Sequence, residues 1–209
     1  AGLAAAFHAP LAGVMFSLEE IHKNFSVSVL VSVMTASITA DYISGQLLGF
    51  QSVFQFDIGL EIEPRYYWHI VILGVILGLL GAFYNKMTMW VQGLYYKAKR
   101  LNETTRLLIP FLLAGVLGLA APQVLGSGHD LIETAAGGEM VLGTLLGLLA
   151  LKFVFSLISF GSGAPGGIFF PLLGLGALIG GSYGTFAAQY MGLDPSYISN
   201  FVLLAMAGY

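Results

Sequence analysis

Long apolar stretches follow one another along almost the whole chain, and this pattern constrains the fold more than any other feature. Only 9% of the 209 residues are charged and 57% are hydrophobic, whereas soluble domains carry about 25% charged residues. A soluble core of this size cannot hide so much apolar surface, so lipid must cover part of it. Several stretches reach about 20 residues, the length that crosses a bilayer core; the stretches are 1–18, 26–50, 66–94, 107–125, 140–160, 168–190 and 197–209.

The unequal lengths and the interruptions of these stretches predict an all-α integral membrane protein with tilted and broken helices. Stretch 66–94 is longer than an upright span requires, which indicates tilt, and Pro10 interrupts the first stretch. Segment 126–139 is too short and polar for a span, so we interpret it as a re-entrant piece or a loop. Glycine pairs four residues apart predict close helix packing, although glycine is also common in membrane helices generally; the pairs are Gly74/Gly78, Gly143/Gly147, Gly176/Gly180 and Gly180/Gly184.

The charged connections between the stretches predict an orientation in the membrane. Connections 21–25 and 95–106 carry mostly basic residues, whereas connection 51–65 is mostly acidic. Because basic loops remain in the cytoplasm, we expect 21–25 and 95–106 to be cytoplasmic and 51–65 to lie outside. Each of the two stretches between these connections would cross the membrane once, so that successive connections lie on opposite sides, as this orientation requires.

Composition and missing motifs exclude several classes of function. The chain has no cysteine, which excludes disulfides and thiolate metal sites, and its net charge of −3 gives no indication of a nucleic-acid partner. Ser162 lies between two glycines, but Phe160 occupies the first glycine position of the G-x-S-x-G nucleophile motif. No H-E-x-x-H motif occurs either. We therefore expect a protein that is not an enzyme and has no metal.

The ends of the chain predict a fragment. It begins without Met and without a basic leader, and it ends inside an apolar run. We therefore expect an internal piece of a longer membrane protein.

The sequence GSGAPGGIFFP, residues 161–171, forms a loop of helix breakers that leads into an apolar helix beginning near Ile168. The first N–H groups of a helix have no acceptor within the helix, and the helix dipole favours an anion there. At membrane depth, such irregular backbone survives only where it is buried in protein or lines a wet cavity. The stretch predicts an anion site made by the amides near Ile168 and Phe169. An ordinary tight turn between two spans is the alternative.

A second stretch, FHAPLAGVMFSLEEIHKNF at residues 7–25, places two acids at the predicted cytoplasmic end of a helix that Pro10 opens. Ionisable residues at such positions are candidates for function, and a partly desolvated carboxyl of Glu19 or Glu20 could carry protons. The alternative is that both acids mark the water interface beside Lys23. Inside stretch 140–160, Lys152 either extends to an interface or pairs with an acid.

These stretches resemble the chloride channel and transporter (ClC) family. GSGAPGGIFFPLLGLGALIG is similar to the family signature that opens a broken helix in the second half, and GLAAAFHAPLAGVMFSLEE is similar to the stretch that ends in the internal proton glutamate. GSGHDLIETAAGG at 126–138 is a weaker family element. The resemblance covers the chain, and implies that 1–209 is the central fragment of one ClC transmembrane domain in the inverted-repeat fold. Residues 1–50 would end its first half and residues 66–209 would begin its second.

The resemblance also implies roles for individual residues. In the family, backbone amides hold chloride at positions that match Ile168 and Phe169, in a loop shaped here by Gly166, Gly167 and Pro171. The internal proton glutamate matches Glu20, so Glu19, about 100° away around an α-helix, would be secondary. The family's first-half serine loop, its G-[KR]-E-G-P loop with the gating glutamate, and its late tyrosine have no counterpart in these residues.

The implied function is chloride/proton antiport, because exchangers of the family keep the internal glutamate; a passive ClC-type chloride channel is the alternative. Chloride is then the substrate, and no cofactor is expected. The implied partners are the lipid bilayer and a second copy of the chain, packed through the 10–50 region and through C-terminal helices outside this sequence. The implied location is the bacterial inner membrane.

Overall fold

The structure, a computed structural model, describes residues 1–23, 25–49, 54, 61–98, 102–138 and 140–209. Within these residues every regular element is helical and no strand occurs, which confirms the predicted all-α fold. The acidic connection at 51–65 falls largely outside the described residues, as do Lys99 and Arg100 of the basic connection. The α-helices are α1 Gly2–Phe7, α2 Pro10–Phe16, α3 Val27–Leu48, α4 Tyr67–Lys97, α5 Glu103–Ala120, α6 His129–Ala136, α7 Leu142–Gly161, α8 Phe169–Tyr190 and α9 Ile198–Gly208.

Four helical segments among the described residues are long and apolar enough to cross a membrane: Val27–Leu48, Pro64–Lys97, Leu142–Gly161 and Phe169–Tyr190. The first three expose most of their apolar residues, most of all α3, where 6% of the span is buried, whereas 67% of the last span is buried inside the protein. With its 31 residues, α4 is roughly 46 Å long at the α-helical rise, against a hydrocarbon core of about 30 Å. The protein is therefore an integral membrane protein.

The chain forms two compact units, residues 1–55 and 56–209. In the first unit, the predicted break at Pro10 separates α1 from α2, with Pro10 as the first residue of α2. His8 adopts the left-handed conformation at the end of α1, with φ of 48°. Its Nδ1 lies 2.9 Å from Asp41 Oδ1 on α3. This contact ties the break between the short helices to the long helix beside them.

Helix α8 forms the centre of the second unit. Gly176 and Gly180 bring it against α9: a Cβ at Gly180 would lie 2.5 Å from the Phe201 carbonyl oxygen. The close packing predicted for the glycines of α8 is thereby confirmed. For Gly74/Gly78 and Gly143/Gly147 no atom of the described chain lies within 4 Å of an added Cβ, so the described residues show no such packing at these pairs. Those four glycines face open space because no described helix packs against that side.

Segment 126–139 contains a short helix, α6, whose Leu131 and Ile132 are buried. The segment is held by Lys152 of α7, which is 1% exposed. Its ammonium group donates hydrogen bonds to the carbonyl oxygens of Val124 at 2.8 Å and Gly126 at 3.0 Å. Lys152 does not extend to an interface, and among the described residues it forms no ion pair with an acid. Irregular backbone inside a membrane protein needs donors for its carbonyl groups, and the lysine supplies them.

Candidate functional site

The glycine-rich loop connects α7 to α8 by a tight path. Gly161 ends α7 against Val91, where an added Cβ would lie 2.4 Å from a side-chain methyl carbon, so only glycine fits. Gly163 has φ of 81°, which also favours glycine. Between them, Ser162 Oγ donates to the Ser159 carbonyl oxygen at 2.7 Å. The serine therefore closes the turn, while packing against α4 requires glycine at 161 and backbone conformation favours it at 163.

Helix α8 begins as the sequence predicted, with Phe169 as its first residue and Ile168 as its N-cap. No side chain caps the helix start. The Leu172 N–H donates to the Ile168 carbonyl oxygen at 3.1 Å, which closes the first turn. Pro171 has no N–H, so the backbone amides at this helix start are those of residues 168–170.

A cavity of about 400 Å³ opens beside this helix start. Ile168 and Leu172 line it from α8, and Phe160 lines it from α7. The opposite wall is one face of α4, and the remaining lining residue is Tyr209; the α4 residues are Gly81, Tyr84, Asn85, Thr88 and Gln92. Of the predicted site residues, Ile168 lines this cavity, whereas Phe169, Gly166, Gly167 and Pro171 are not among its lining residues.

Sequence reasoning missed the polar face of α4. Gly81, Asn85, Thr88 and Gln92 are spaced by four, three and four positions, which places them on one side of the helix. Polar side chains at this spacing inside an otherwise apolar span are the signal that could have found the wall, because membrane helices turn polar faces to protein or water.

Glu19 and Glu20 lie in a π-helical turn, Ser17–His22, that continues α2. Both side chains are exposed, and both line a surface cavity of about 610 Å³ together with Lys23. Lys23 is not within ion-pair distance of either acid in the described part of the chain. The two acids thus lie at one surface cavity, in a turn that is wider than the α-helical turn the sequence predicted.

Comparison with known proteins gives consistent results. The whole chain, residues 1–209, matches the sequence model described as "Voltage gated chloride channel". It is 33% identical to proteins named H(+)/Cl(-) exchange transporter ClcA from Yersinia pestis bv. Antiqua (strain Angola) and Yersinia pseudotuberculosis serotype O:3 (strain YPIII). Each match covers 100% of this chain and 44% of the relative. The chain thus spans less than half the length of these relatives.

A solved structure has the same fold. The crystal structure of a slow cyanobacterial Cl-/H+ antiporter superposes with a TM-score of 0.79 at 23% sequence identity. The superposition covers 99% of this chain and 53% of that one. Together with the match over residues 1–209, this agreement shows that the chain belongs to the voltage-gated chloride channel family.

Proposed function

We propose that the full-length protein exchanges chloride for protons across the membrane. The observation that carries the proposal is the start of α8, where an uncapped helix follows a glycine-rich loop and adjoins a cavity lined by Ile168. The backbone amides and the helix dipole at such a helix start favour the binding of an anion. The names of the relatives, which are exchange transporters rather than channels or enzymes, support exchange.

In this proposal the amides of Ile168 and Phe169 hold chloride. Gly166 and Gly167 allow the backbone to approach the ion, and Pro171 removes an N–H from the first turn. These groups are uncharged, so they bind a dehydrated anion without a strong counter-charge that would slow its release. The ion is the substrate.

Glu20 is the proposed proton carrier on the cytoplasmic side, with Glu19 as a secondary acid. The exposure of Glu20 beside a surface cavity supports exchange of protons with water. Loops 21–25 and 95–106 would then face the cytoplasm of a bacterium whose inner membrane holds the protein.

The arrangement of the complete protein follows from the same family. We propose that residues 1–50 end one half of a ClC transmembrane domain and residues 66–209 begin the next. Two copies would pack through the 10–50 region, together with C-terminal helices outside this sequence. The exposed apolar side chains of α3 support this pairing, since they include Val31, Met34 and Ile38.

Replacing Glu20 by Gln tests the proton pathway. In liposomes containing the full-length protein, chloride-driven proton uptake should be lost, because glutamine keeps the size of the side chain but does not titrate. Chloride flux should remain measurable, since the backbone amides do not depend on that carboxylate. Glu19→Gln is the matched control and should retain most proton uptake.

Two results would change the assignment. Proton uptake at the parental rate in the Glu20→Gln protein would remove Glu20 from the pathway. Chloride flux without proton movement in the parent would favour the passive channel over the exchanger.

A further inference from the structure

Two buried phenol hydroxyl groups beside the cavity at the start of α8 have no hydrogen-bond partner among the described residues. They belong to Tyr84 and Tyr209, and both residues line that cavity. Tyr84 is 9% exposed and lies on the polar face of α4. The two rings meet edge to face, with centroids 6.3 Å apart.

The described side chains around Tyr84 form no hydrogen bond with its hydroxyl group. The side chains of Thr88 and Ser156 lie near it, but neither forms a hydrogen bond of acceptable geometry with it. Thr88 Oγ1 is instead directed to the Tyr84 carbonyl oxygen, at 2.8 Å. Buried tyrosine hydroxyls in folded proteins usually have a partner. The Tyr84 hydroxyl is therefore a hydrogen-bond donor beside the cavity that has no acceptor among the described residues.

The cavity favours an anion as that acceptor. Its lining residues carry no carboxylate that would repel an anion and no basic side chain. Ile168, which adjoins it, caps the positive end of the α8 dipole. A hydroxyl donor and backbone amides that act on one ion give hydrogen bonds to a charged group, which are stronger than those to a neutral molecule.

We propose that the Tyr84 hydroxyl, assisted by that of Tyr209, donates a hydrogen bond to the anion held at the start of α8. This proposal rests on the proposed function and extends it, because it adds side-chain ligands from α4 and from the residue that follows α9 to a site otherwise made of backbone. Such donors favour chloride, a compact anion, over thiocyanate, whose charge is spread over several atoms.

Chloride titration of the purified full-length protein by calorimetry tests the proposal. Tyr84→Phe removes only the hydroxyl, and chloride affinity should fall about tenfold, as expected for one hydrogen bond to a charged group. Thiocyanate affinity should fall less, and Tyr209→Phe should also weaken chloride binding. Tyr197→Phe is the control: Tyr197 is also buried but does not line the cavity, so removing its hydroxyl should leave chloride affinity at the parental value.

Each outcome decides a different point. Parental chloride affinity in the Tyr84→Phe protein would overturn the tyrosine proposal and indicate that the hydroxyl meets only water. A parent that binds no chloride would overturn the proposed function itself. If Tyr84→Phe does not fold, bromide-soaked crystals of the parent decide: an anomalous peak in contact with the Tyr84 hydroxyl supports the proposal, and a bound bromide away from it overturns it.

Discussion

Lys152 places an ammonium group inside the second unit, where it is 1% exposed. Burying a charge is costly unless hydrogen bonds compensate, and here two backbone carbonyl oxygens do so. The same bonds give hydrogen-bond donors to the carbonyl groups of the irregular turn before α6. The residue therefore stabilises a connection that would otherwise expose unpaired carbonyl groups to an apolar interior.

Lys152→Met should lower the free energy of unfolding. Methionine keeps much of the side-chain volume, but the carbonyl groups of Val124 and Gly126 lose their donor, at a net cost of about 2 kcal/mol. Thermal unfolding in detergent measures the effect as a lower midpoint. Lys97→Met, at the exposed end of α4, is the control and should leave the midpoint unchanged. Equal midpoints for both variants would show that the buried bonds contribute no net stability.

At the scale of elements, the pairing of α8 with α9 depends on glycine. Gly180→Ala would place a Cβ 2.5 Å from the Phe201 carbonyl oxygen and 2.7 Å from the Val202 Cα. Because these are backbone atoms, the helices must separate, and we expect a loss of about 1–3 kcal/mol in unfolding free energy. Gly78→Ala has no atom within 4 Å of the added carbon and should be neutral or stabilising. Equal unfolding free energies for the Gly180→Ala and Gly78→Ala proteins would contradict the prediction.

The sequence predicted those features that local sterics determine. Pro10 fixes the break before α2, and the glycine-rich loop fixes the start of α8, because both act on the backbone nearest to them. The partners of Lys152 and the helix that packs on Gly180 belong to other segments of the chain, so spacing alone could not identify them. The cavity wall around Tyr84 was missed although the spacing of polar residues on α4 indicates a polar face, because that spacing does not show what the face packs against.

At the scale of the whole molecule, the chain belongs to a family of anion transport proteins and matches its fold along nearly its entire length. The central proposal is that this fold positions an anion at the start of α8. It unites the glycine-rich loop, the uncapped helix and the adjoining cavity in one site. Under this proposal, transport and coupling would both depend on that site being occupied.

Anomalous diffraction from bromide-soaked crystals of the full-length protein tests this claim most directly. Bromide replaces chloride at sites made of amide donors and scatters anomalously, so its position can be read without reference to activity. We predict a peak within hydrogen-bonding distance of the amides of Ile168 and Phe169. A well-ordered map with no peak at those amides would contradict the account.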